Sequence, residues 1–459
     1  ATTAMDEYPP LEWTSDVVSR DGGDPDPTEA AGDDSPAGGG ADDVEDAGLW
    51  RQRQKAERHA RLKAEVTGML REMKPPLRDV FRKHALHCLP VRSLLRFRSV
   101  SKEWRCFISA PIFLHTQSHG HRSTSGIFWQ IPPGVPGYSP FDPLAGGVPD
   151  PSLAFLPSSP CVAALASSNG LLLCAGILHS YYVCNPSTAE WTSVPEPPPP
   201  CLTYCVGGVP VVDDGGRTAV ALLFEPSAGN LEAEYRLVRA YEICEDSPGV
   251  YGFQVFSSVA GEWRVSSDVC ATEQLIPGSG VSAGGVACWR TTMQTVVSYD
   301  PVADSCRSVP WPMGYDTTAS WQLGEMGGRL CCACVTDSAV QVYALTPPGL
   351  WSLLASYKVA GGEDSGEGFG EPPVFGSRPS PLRFQSGGSE VLLWVSGRVV
   401  GLDVASGRAR EVCVAQEGPW MMGDADFVPH ISTFARVFPQ NVGGSHLRAL
   451  TPQSKQKIM

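Results

Sequence analysis

The sequence predicts a multidomain chain in which a small all-α module of three helices precedes a large all-β domain, a propeller of about six blades. Apolar residues at helical spacing lie between Pro76 and Pro111, whereas short β-branched and aromatic runs, separated by Gly, Pro, Asp and Ser, follow from about residue 125. A degenerate repeat of about 40 to 50 residues runs through this second part, as in propeller blades. The 48 Gly and 41 Pro among 459 residues suit short strands and tight turns.

The first 48 residues are predicted to be a disordered acidic tail. They hold fourteen Asp and Glu against one basic residue, Arg20, and show no apolar period. Such a segment cannot bury enough apolar surface to offset the entropy lost on ordering.

Residues 49–73 are predicted to form a basic amphipathic helix. They contain strong helix formers and no Pro, and their apolar residues recur at three- and four-residue spacing. The basic stretch from Arg51 to Lys63 is most simply a solvated helix face, and the alternatives are a nuclear-import patch or a nucleic-acid contact. Because the net charge of the whole chain is −14, nucleic acid is an unlikely partner for the protein as a whole.

Residues 77–117 are predicted to contain two or three short helices. Leu77, Phe81 and Leu89 belong to one apolar row, and Pro90 ends that helix and can open the next. Ser101 is a plausible N-cap for a last helix, which Pro111 is expected to stop.

The predicted propeller spans about residues 125–440 and precedes a polar C-terminal tail, 441–459. Its repeat is a Gly-led apolar strand, a second strand, a turn and then often a Trp or Pro. The wide gap between Trp191 and Trp263 leaves room for a further strand pair or blade, and a two-sheet sandwich is the alternative fold. The corresponding points of five repeats are Trp191, Trp263, Cys306, Trp351 and Arg410.

Several function classes find no support in the sequence. It shows no secretory signal, no apolar run long enough to cross a membrane, and no nucleophile elbow, phosphate-binding Gly-Lys loop or HExxH motif. The glycine pairs 284–285 and 327–328 precede strands without a following helix and are interpreted as turns. We therefore predict a protein without catalytic residues, cofactor or membrane contact.

The cysteines and clustered histidines are interpreted as structural or surface residues. Fifteen Cys without an export signal indicate reduced thiols in the nucleus or cytoplasm. Cys332 and Cys334 are expected to share one face of a strand while Cys331 takes the other. His115, His119 and His121, expected in a loop, lack the paired spacing of a zinc site, so no metal is predicted. The three cysteines also lack that spacing.

Two stretches resemble a known family. The runs LPVRSLLRFR at residues 89–98 and VSKEWR at residues 100–105 are similar to the F-box, and SNGLLLC at 168–174 and YVCNPSTAEW at 182–191 resemble the plant-type, kelch-like F-box-associated domain. The resemblance implies an F-box at 77–117, a kelch-like propeller, and a substrate-recognition subunit of a Skp–cullin–F-box ubiquitin ligase. Its implied partners are a Skp-type adaptor, through it a cullin–RING ligase, and a protein target.

The resemblance also implies which residues face the adaptor. This sequence departs from the family pattern at three positions. In the first helix, Arg78 at the opening position and His84 and Ala85 at two later positions differ from the family pattern, which bears on adaptor affinity. The residues that the resemblance places against the adaptor are Leu77, Phe81, Leu89, Pro90, Leu94, Leu95, Val100 and Trp104.

Target contacts are predicted among exposed aromatic and arginine side chains of the propeller, namely Trp289, Arg290, Trp311 and Trp321. The alternative function is a ligase-independent scaffold or transcription-related regulator, with a degenerate F-box and a basic helix that contacts nucleic acid. The target, its degron and the biological process have no signal in the sequence.

Overall fold

In a computed structural model, all of the described residues lie in one compact unit, residues 62–459. The predicted acidic tail, basic helix and C-terminal tail lie outside the described residues, and so does most of the predicted first helix of the α module. The structure describes residues 86, 89–120, 123–130, 135–141, 147–157, 163–176, 180–198, 219–227, 230, 233–243, 249–314, 318–347, 349–359, 375, 377–414 and 427–437.

Three helices come first: α1 (Val91–Val100), α2 (Lys102–Ile108) and α3 (Pro111–Gly120). Pro90 occupies the N-cap position of α1, and the Ser101 hydroxyl accepts a 3.2 Å hydrogen bond from the Trp104 amide at the start of α2, as the sequence predicts. α2 ends at Ile108, before Pro111 as expected, and Pro111 opens α3, because the first position of a helix needs no amide donor. His115 and His119 therefore lie on a helix and not in the predicted loop.

The described residues after α3 form six sheets, which are the blades of a six-bladed propeller. Blade 1 comprises β1 (Gly126–Trp129), β2 (Gly137–Pro140) and β24 (Phe427–His430). Blade 2 comprises β3 (Ala163–Ser168), β4 (Leu171–Ala175), β5 (Tyr181–Asn185) and β6 (Glu190–Val194). Blade 3 comprises β7 (Ala219–Phe224), β8 (Tyr235–Glu242), β9 (Val250–Ser257) and β10 (Glu262–Ala271).

The other three blades follow the same antiparallel order. Blade 4 comprises β11 (Val281–Ala283), β12 (Val286–Arg290), β13 (Thr295–Asp300) and β14 (Ser305–Pro310). Blade 5 comprises β15 (Ser320–Met326), β16 (Arg329–Val335), β17 (Ala339–Thr346) and β18 (Leu350–Lys358), and β20 (Phe384–Ser386) pairs in parallel with β15. Blade 6 comprises β19 (Ser380–Pro381), β21 (Glu390–Val395), β22 (Arg398–Asp403) and β23 (Ala409–Val414). No described helix has the length and apolar character needed to span a membrane.

The repeat seen in the sequence corresponds to the last strand of a blade. Each of the five marker residues is the second residue of that strand: Trp191 in β6, Trp263 in β10, Cys306 in β14, Trp351 in β18 and Arg410 in β23. In the wide gap between the first two markers, the described residues contain only β7, β8 and β9 of blade 3. The sixth blade comes from blade 1, which joins β24 to β1 and β2.

Turn chemistry explains the glycine-led part of the repeat. Asn169-Gly170, Gly284-Gly285 and Gly327-Gly328 each connect the first two strands of a blade and have positive φ at both residues. A two-residue hairpin turn of this kind requires positive φ at both positions, which favours Asn and Gly. The prediction that the glycine pairs are turns is confirmed.

The turn before the last strand has its own side-chain cap. The carboxylates of Asp300 and Asp403 accept hydrogen bonds from amides two and three residues further on, and the Asn185 side chain accepts one from the Ser187 amide at 2.9 Å. Such local hydrogen bonds favour a tight turn over continuation of the strand. The three turns therefore have the same design in blades 2, 4 and 6.

The hydrophobic core consists of clusters between neighbouring blades. Cys331 belongs to one cluster, whereas Cys332 and Cys334 belong to another on the opposite face of β16, as predicted, with their Sγ atoms 3.5 Å apart. Burial raises the pKa of Cys331 to about 12 and that of Cys332 well above its usual value. Cys331 and Cys332 are therefore neutral thiols in the core.

Two tryptophan markers hydrogen-bond to the preceding blade. The indole N–H of Trp263 donates to the Pro195 carbonyl at 2.7 Å, and that of Trp351 donates to the Pro310 carbonyl at 2.8 Å. Both carbonyls lie at the end of the previous blade's last strand, so each bond joins two outer strands.

We expect Trp263→Phe and Trp351→Phe each to lower the free energy of unfolding by about 1 kcal/mol, because each keeps the ring but loses the bond. Thermal melting measures the change. Trp191→Phe is the control, since this indole, among the described residues, packs on Tyr182 and makes no equivalent bond. An equal loss in all three variants would contradict the role assigned to the bond.

Candidate functional site

The helices enclose a small apolar core. Leu94 and Ile108 are fully buried and Trp104 is 6% exposed, and these side chains pack with Leu86, Val91 and Phe113. The Trp104 ring lies 5.6 Å from that of Phe97. Each helix is too short to be stable alone, so this cluster holds the module together.

The structure divides the residues that the resemblance placed against an adaptor. Leu94 and Trp104 are directed inward, so their assignment to the surface is corrected: they fill the space between the helices. Leu77 and Phe81 lie outside the described residues. The remaining four, Leu89, Pro90, Leu95 and Val100, are half-buried and reach the surface of the module.

One exposed apolar side chain was missed. Ile112, the second residue of α3, is 69% exposed. The sequence offered a signal for it, since Pro111 followed by Ile-Phe-Leu is compatible with a new helix. With the four half-buried residues, it shows that the propeller does not cover all of the module's apolar surface.

A segment after β24, residues 431–437, lies between the helices and blade 2. Phe434 is buried within the helical core cluster, and its amide donates a 2.8 Å hydrogen bond to Oε1 of the buried Gln117 on α3. On the other side, the Asn185 side-chain amide donates to the carbonyls of Thr433 and Ala435, at 2.9 and 2.7 Å. The segment therefore contacts both parts of the unit.

The turn at Gly170 adds to this contact. A Cβ at this position, where φ is +98°, would lie 2.1 Å from Oγ1 of Thr433 and 2.9 Å from the Ile431 carbonyl. The Val437 amide also donates to Glu190 at 3.2 Å. The end of blade 2 that carries the Gly170 turn therefore faces the helical module.

Polar side chains fill the centre of the propeller. Arg383 is buried and donates to the carbonyls of Phe427 and Leu165, at 3.1 and 2.9 Å, which links β24 to β3. Oε1 of Gln385 accepts from the Asn169 amide at 3.1 Å. The cavity beside Arg383 and Gln385 has a volume of only about 20 Å³, room for about one water molecule. This cavity is therefore too small for a larger ligand.

The four predicted target contacts are not exposed. Trp289 is 0%, Arg290 5%, Trp311 3% and Trp321 8% exposed, so the expectation of surface side chains is wrong. Both faces of a blade pack against neighbouring blades, and aromatic side chains on either face become core residues. The Trp289 ring stacks near Phe253 at 6.1 Å, while the Arg290 guanidinium lies over the Trp321 ring at 5.0 Å. A direct role in binding a target stays an untested prediction for these residues.

His430 in β24 is a buried titratable group of blade 1. The side chain is fully buried, with the rings of Phe128 and Tyr138 at 5.5 and 5.8 Å. Burial lowers the pKa of His430 to about 3, against a smaller upward effect of the Gly170 backbone. The imidazole is therefore neutral at physiological pH.

Within the described ranges, no group of three or more His, Cys, Asp and Glu side chains lies close enough to hold a metal ion. Other surface features of the described residues are the partly exposed apolar side chains of the helices, the loop ends of the blades, and a cavity of about 350 Å³ beside Glu225, Asn230 and Tyr235.

Comparison with known proteins identifies both parts of the chain. The F-box domain model matches residues 80–116, and the model described as F-box protein At3g26010-like, beta-propeller, matches residues 153–363.

Curated relatives come from Arabidopsis thaliana. F-box protein At3g26010 is 31% identical over 143 residues, 30% of this chain and 34% of that protein, and F-box protein At5g07610 is 29% identical over 198 residues, 39% and 42%. The putative F-box/kelch-repeat protein At1g15680 is 25% identical over 305 residues, 58% and 68%. The matches thus span less than half the length of the first two relatives. The chain contains an F-box domain followed by a β-propeller of the F-box-protein type, and it is related to the F-box proteins of Arabidopsis.

Proposed function

We propose that the chain is a substrate-recognition subunit of a Skp–cullin–F-box ubiquitin ligase. The F-box helices bind a Skp-type adaptor, the propeller binds a target protein, and other subunits carry out catalysis. The observation that carries the proposal is the apolar surface left on the F-box helices by Leu89, Pro90, Leu95, Val100 and the exposed Ile112. A partner protein that covers this surface removes it from water.

Two finer points belong to the same proposal. The likeness to a putative F-box/kelch-repeat protein supports blades of the kelch-like type. The free thiols of the described cysteines support a site of action in the nucleus, the cytoplasm or both, where thiols stay reduced.

The target is proposed to bind the propeller end remote from the helices. The turn at Gly170 and the turn that follows Asn185 lie at the end of blade 2 that contacts residues 431–437. Since successive strands alternate in direction, the connections to the next blade open at the other end. One of these connections, residues 272–280 between β10 and β11, is longer than a hairpin turn and gives a recognition surface variable side chains.

Leu95→Asp tests adaptor binding. A charge within an apolar interface costs about 2 kcal/mol or more, so we expect the dissociation constant for a Skp-type adaptor to rise by about 30-fold or more. Calorimetry with the full chain and the purified adaptor measures the change. Leu94→Asp and Trp104→Ala are less suitable, because both residues are buried inside the helical core, whereas Leu95 is half-buried and packs against its edge. Thermal melting of Leu95→Asp checks that the helices stay folded.

Val302→Asp is the matched control for Leu95→Asp. Val302 is 75% exposed in the turn between β13 and β14, so the same chemical change is made on the propeller and is expected to leave adaptor affinity unchanged. Absence of adaptor binding by the wild-type chain would rule out the ligase role and favour a ligase-independent scaffold.

A further inference from the structure

We infer that Asn185 is a positioning residue, which fixes the orientation of the F-box helices on the propeller by holding the segment 431–437 against blade 2. The inference rests on the proposed function for its consequence in ubiquitin transfer. Its structural part, a rigid joint between helices and propeller, is independent of that function.

The Asn185 side chain uses every polar atom. Oδ1 accepts from the Ser187 amide at 2.9 Å, while Nδ2 donates to the Thr433 and Ala435 carbonyls. Asn185 is fully buried, so an unmade bond here would leave carbonyl groups without a partner and without water. The side chain therefore does more than cap its own turn.

The carbonyls that Asn185 holds lie on either side of Phe434. Fixing residues 433 and 435 sets the direction in which the Phe434 side chain leaves the segment, which is into the F-box core beside Leu94 and Trp104. The Phe434 amide is bound to Gln117 of α3 at the same time. Phe434, which belongs neither to blade 2 nor to the helices, thus connects the two.

The equivalent turns show that capping alone does not require an amide. Asp300 caps the turn of blade 4 with a carboxylate that accepts from the Val302 and Ala303 amides, at 2.8 and 3.1 Å, and Asp403 does the same in blade 6. A carboxylate lacks the N–H donors that bind two carbonyls. The side-chain amide of Asn185 therefore allows the turn of blade 2 to bind the segment 431–437.

The consequence concerns ubiquitin transfer. A target held by the propeller presents its lysines to the rest of the ligase in a defined place only if the helices do not move relative to the blades. A rigid joint raises the effective concentration of the acceptor lysines. Release of the segment would let the two parts move while each keeps its own binding surface.

The first experiment is hydrogen exchange on the full chain. Asn185→Ala is expected to speed amide exchange in α3 about tenfold, because α3 loses its fixed contact with the propeller. Asp300→Ala, which removes the same kind of turn cap in blade 4, is expected to leave α3 unchanged. Phe434→Ala, which leaves blade 2 intact, should speed exchange in α3 as Asn185→Ala does.

Unchanged protection of α3 in Asn185→Ala would overturn the inference even if Phe434→Ala speeds exchange there, because Phe434 is itself part of the helical core. Loss of protection throughout all blades in Asn185→Ala, together with unchanged α3 in Phe434→Ala, would also overturn it, because Asn185 would then only stabilise the fold.

The second experiment uses a reconstituted ligase and a stand-in target. A peptide epitope inserted between Ser396 and Gly397, in the turn between β21 and β22, recruits an epitope-binding protein to the end remote from the helices. We expect Asn185→Ala to reduce ubiquitin transfer to that protein at least about threefold and to spread it over more lysines, with adaptor affinity within about twofold of wild type.

The two experiments separate the inference from the proposed function. A wild-type chain that fails to bind the adaptor ends the proposed function, while the exchange measurement still decides on the joint. Adaptor binding with equal transfer and equal lysine choice in wild type and Asn185→Ala would overturn the positioning role.

Discussion

Acidification from pH 7 to pH 4 is expected to remove about 3 kcal/mol of folding stability through His430 alone, since a pKa difference of one unit corresponds to about 1.4 kcal/mol. The pKa of His430 is about 3 in the folded chain, against the usual value of 6.5. The unfolded chain therefore binds a proton that the folded chain excludes once the pH falls below 6.5. Stability is fully present above that pH and is lost progressively as the pH falls towards 3.

Chemical denaturation at several pH values measures this effect, with His430→Phe as the comparison. Phe keeps an aromatic ring between Phe128 and Tyr138 but has no titrating group, so its stability should fall less steeply between pH 6.5 and 4. Hydrogen bonds from Tyr299 and Arg264 lower the pKa of Asp304, and its acid sensitivity is common to both proteins. Equal pH slopes in the two proteins would show that His430 is accessible to protons in the fold.

Trp289→Ala is expected to lower the free energy of unfolding by about 3 to 5 kcal/mol, the range for removal of a large buried aromatic side chain. The ring is fully buried in the cluster between blades 3 and 4 and stacks near Phe253. If Trp289→Ala no longer bound a target, the cause would therefore be unfolding and not the loss of a direct contact. Denaturant titration followed by circular dichroism measures the loss.

Met293→Ala is the control for Trp289→Ala. Met293 lies in the same blade, in the turn between β12 and β13, and is 69% exposed, so its truncation should change stability by less than about 0.5 kcal/mol. A stability loss below about 1 kcal/mol for Trp289→Ala would contradict its place in the core and restore it as a surface contact.

The blade repeat could be predicted because its determinants are local. The turn residues with positive φ shape only their own turn, and the side chains of Asn185, Asp300 and Asp403 bind amides two or three residues further along the chain. Both features recur in several blades. The second residue of each last strand could be found in the same way. Six blades follow once β24 is placed in blade 1.

Exposure could not be predicted in the same way. An apolar row at helical spacing shows that Leu94 and Trp104 share a face, but not whether that face meets the neighbouring helices or a partner. Trp289 and Arg290 lie next to each other on β12, and opposite faces of a strand usually differ in exposure. In a propeller both faces meet another blade, so both residues are buried. The contact of Phe434 with the helices joins residues more than 300 positions apart and has no local signal.

Closure of blade 1 by β24 has a consequence for the order of folding during synthesis. β1 pairs with β24 from Gly126–His430 to Trp129–Phe427, so this partner leaves the ribosome only after the other five blades have been made. The nascent F-box helices likewise lack Phe434 until that moment. A nascent chain that ends before Phe427 would display both an unpaired edge on β1 and an unfilled helical core.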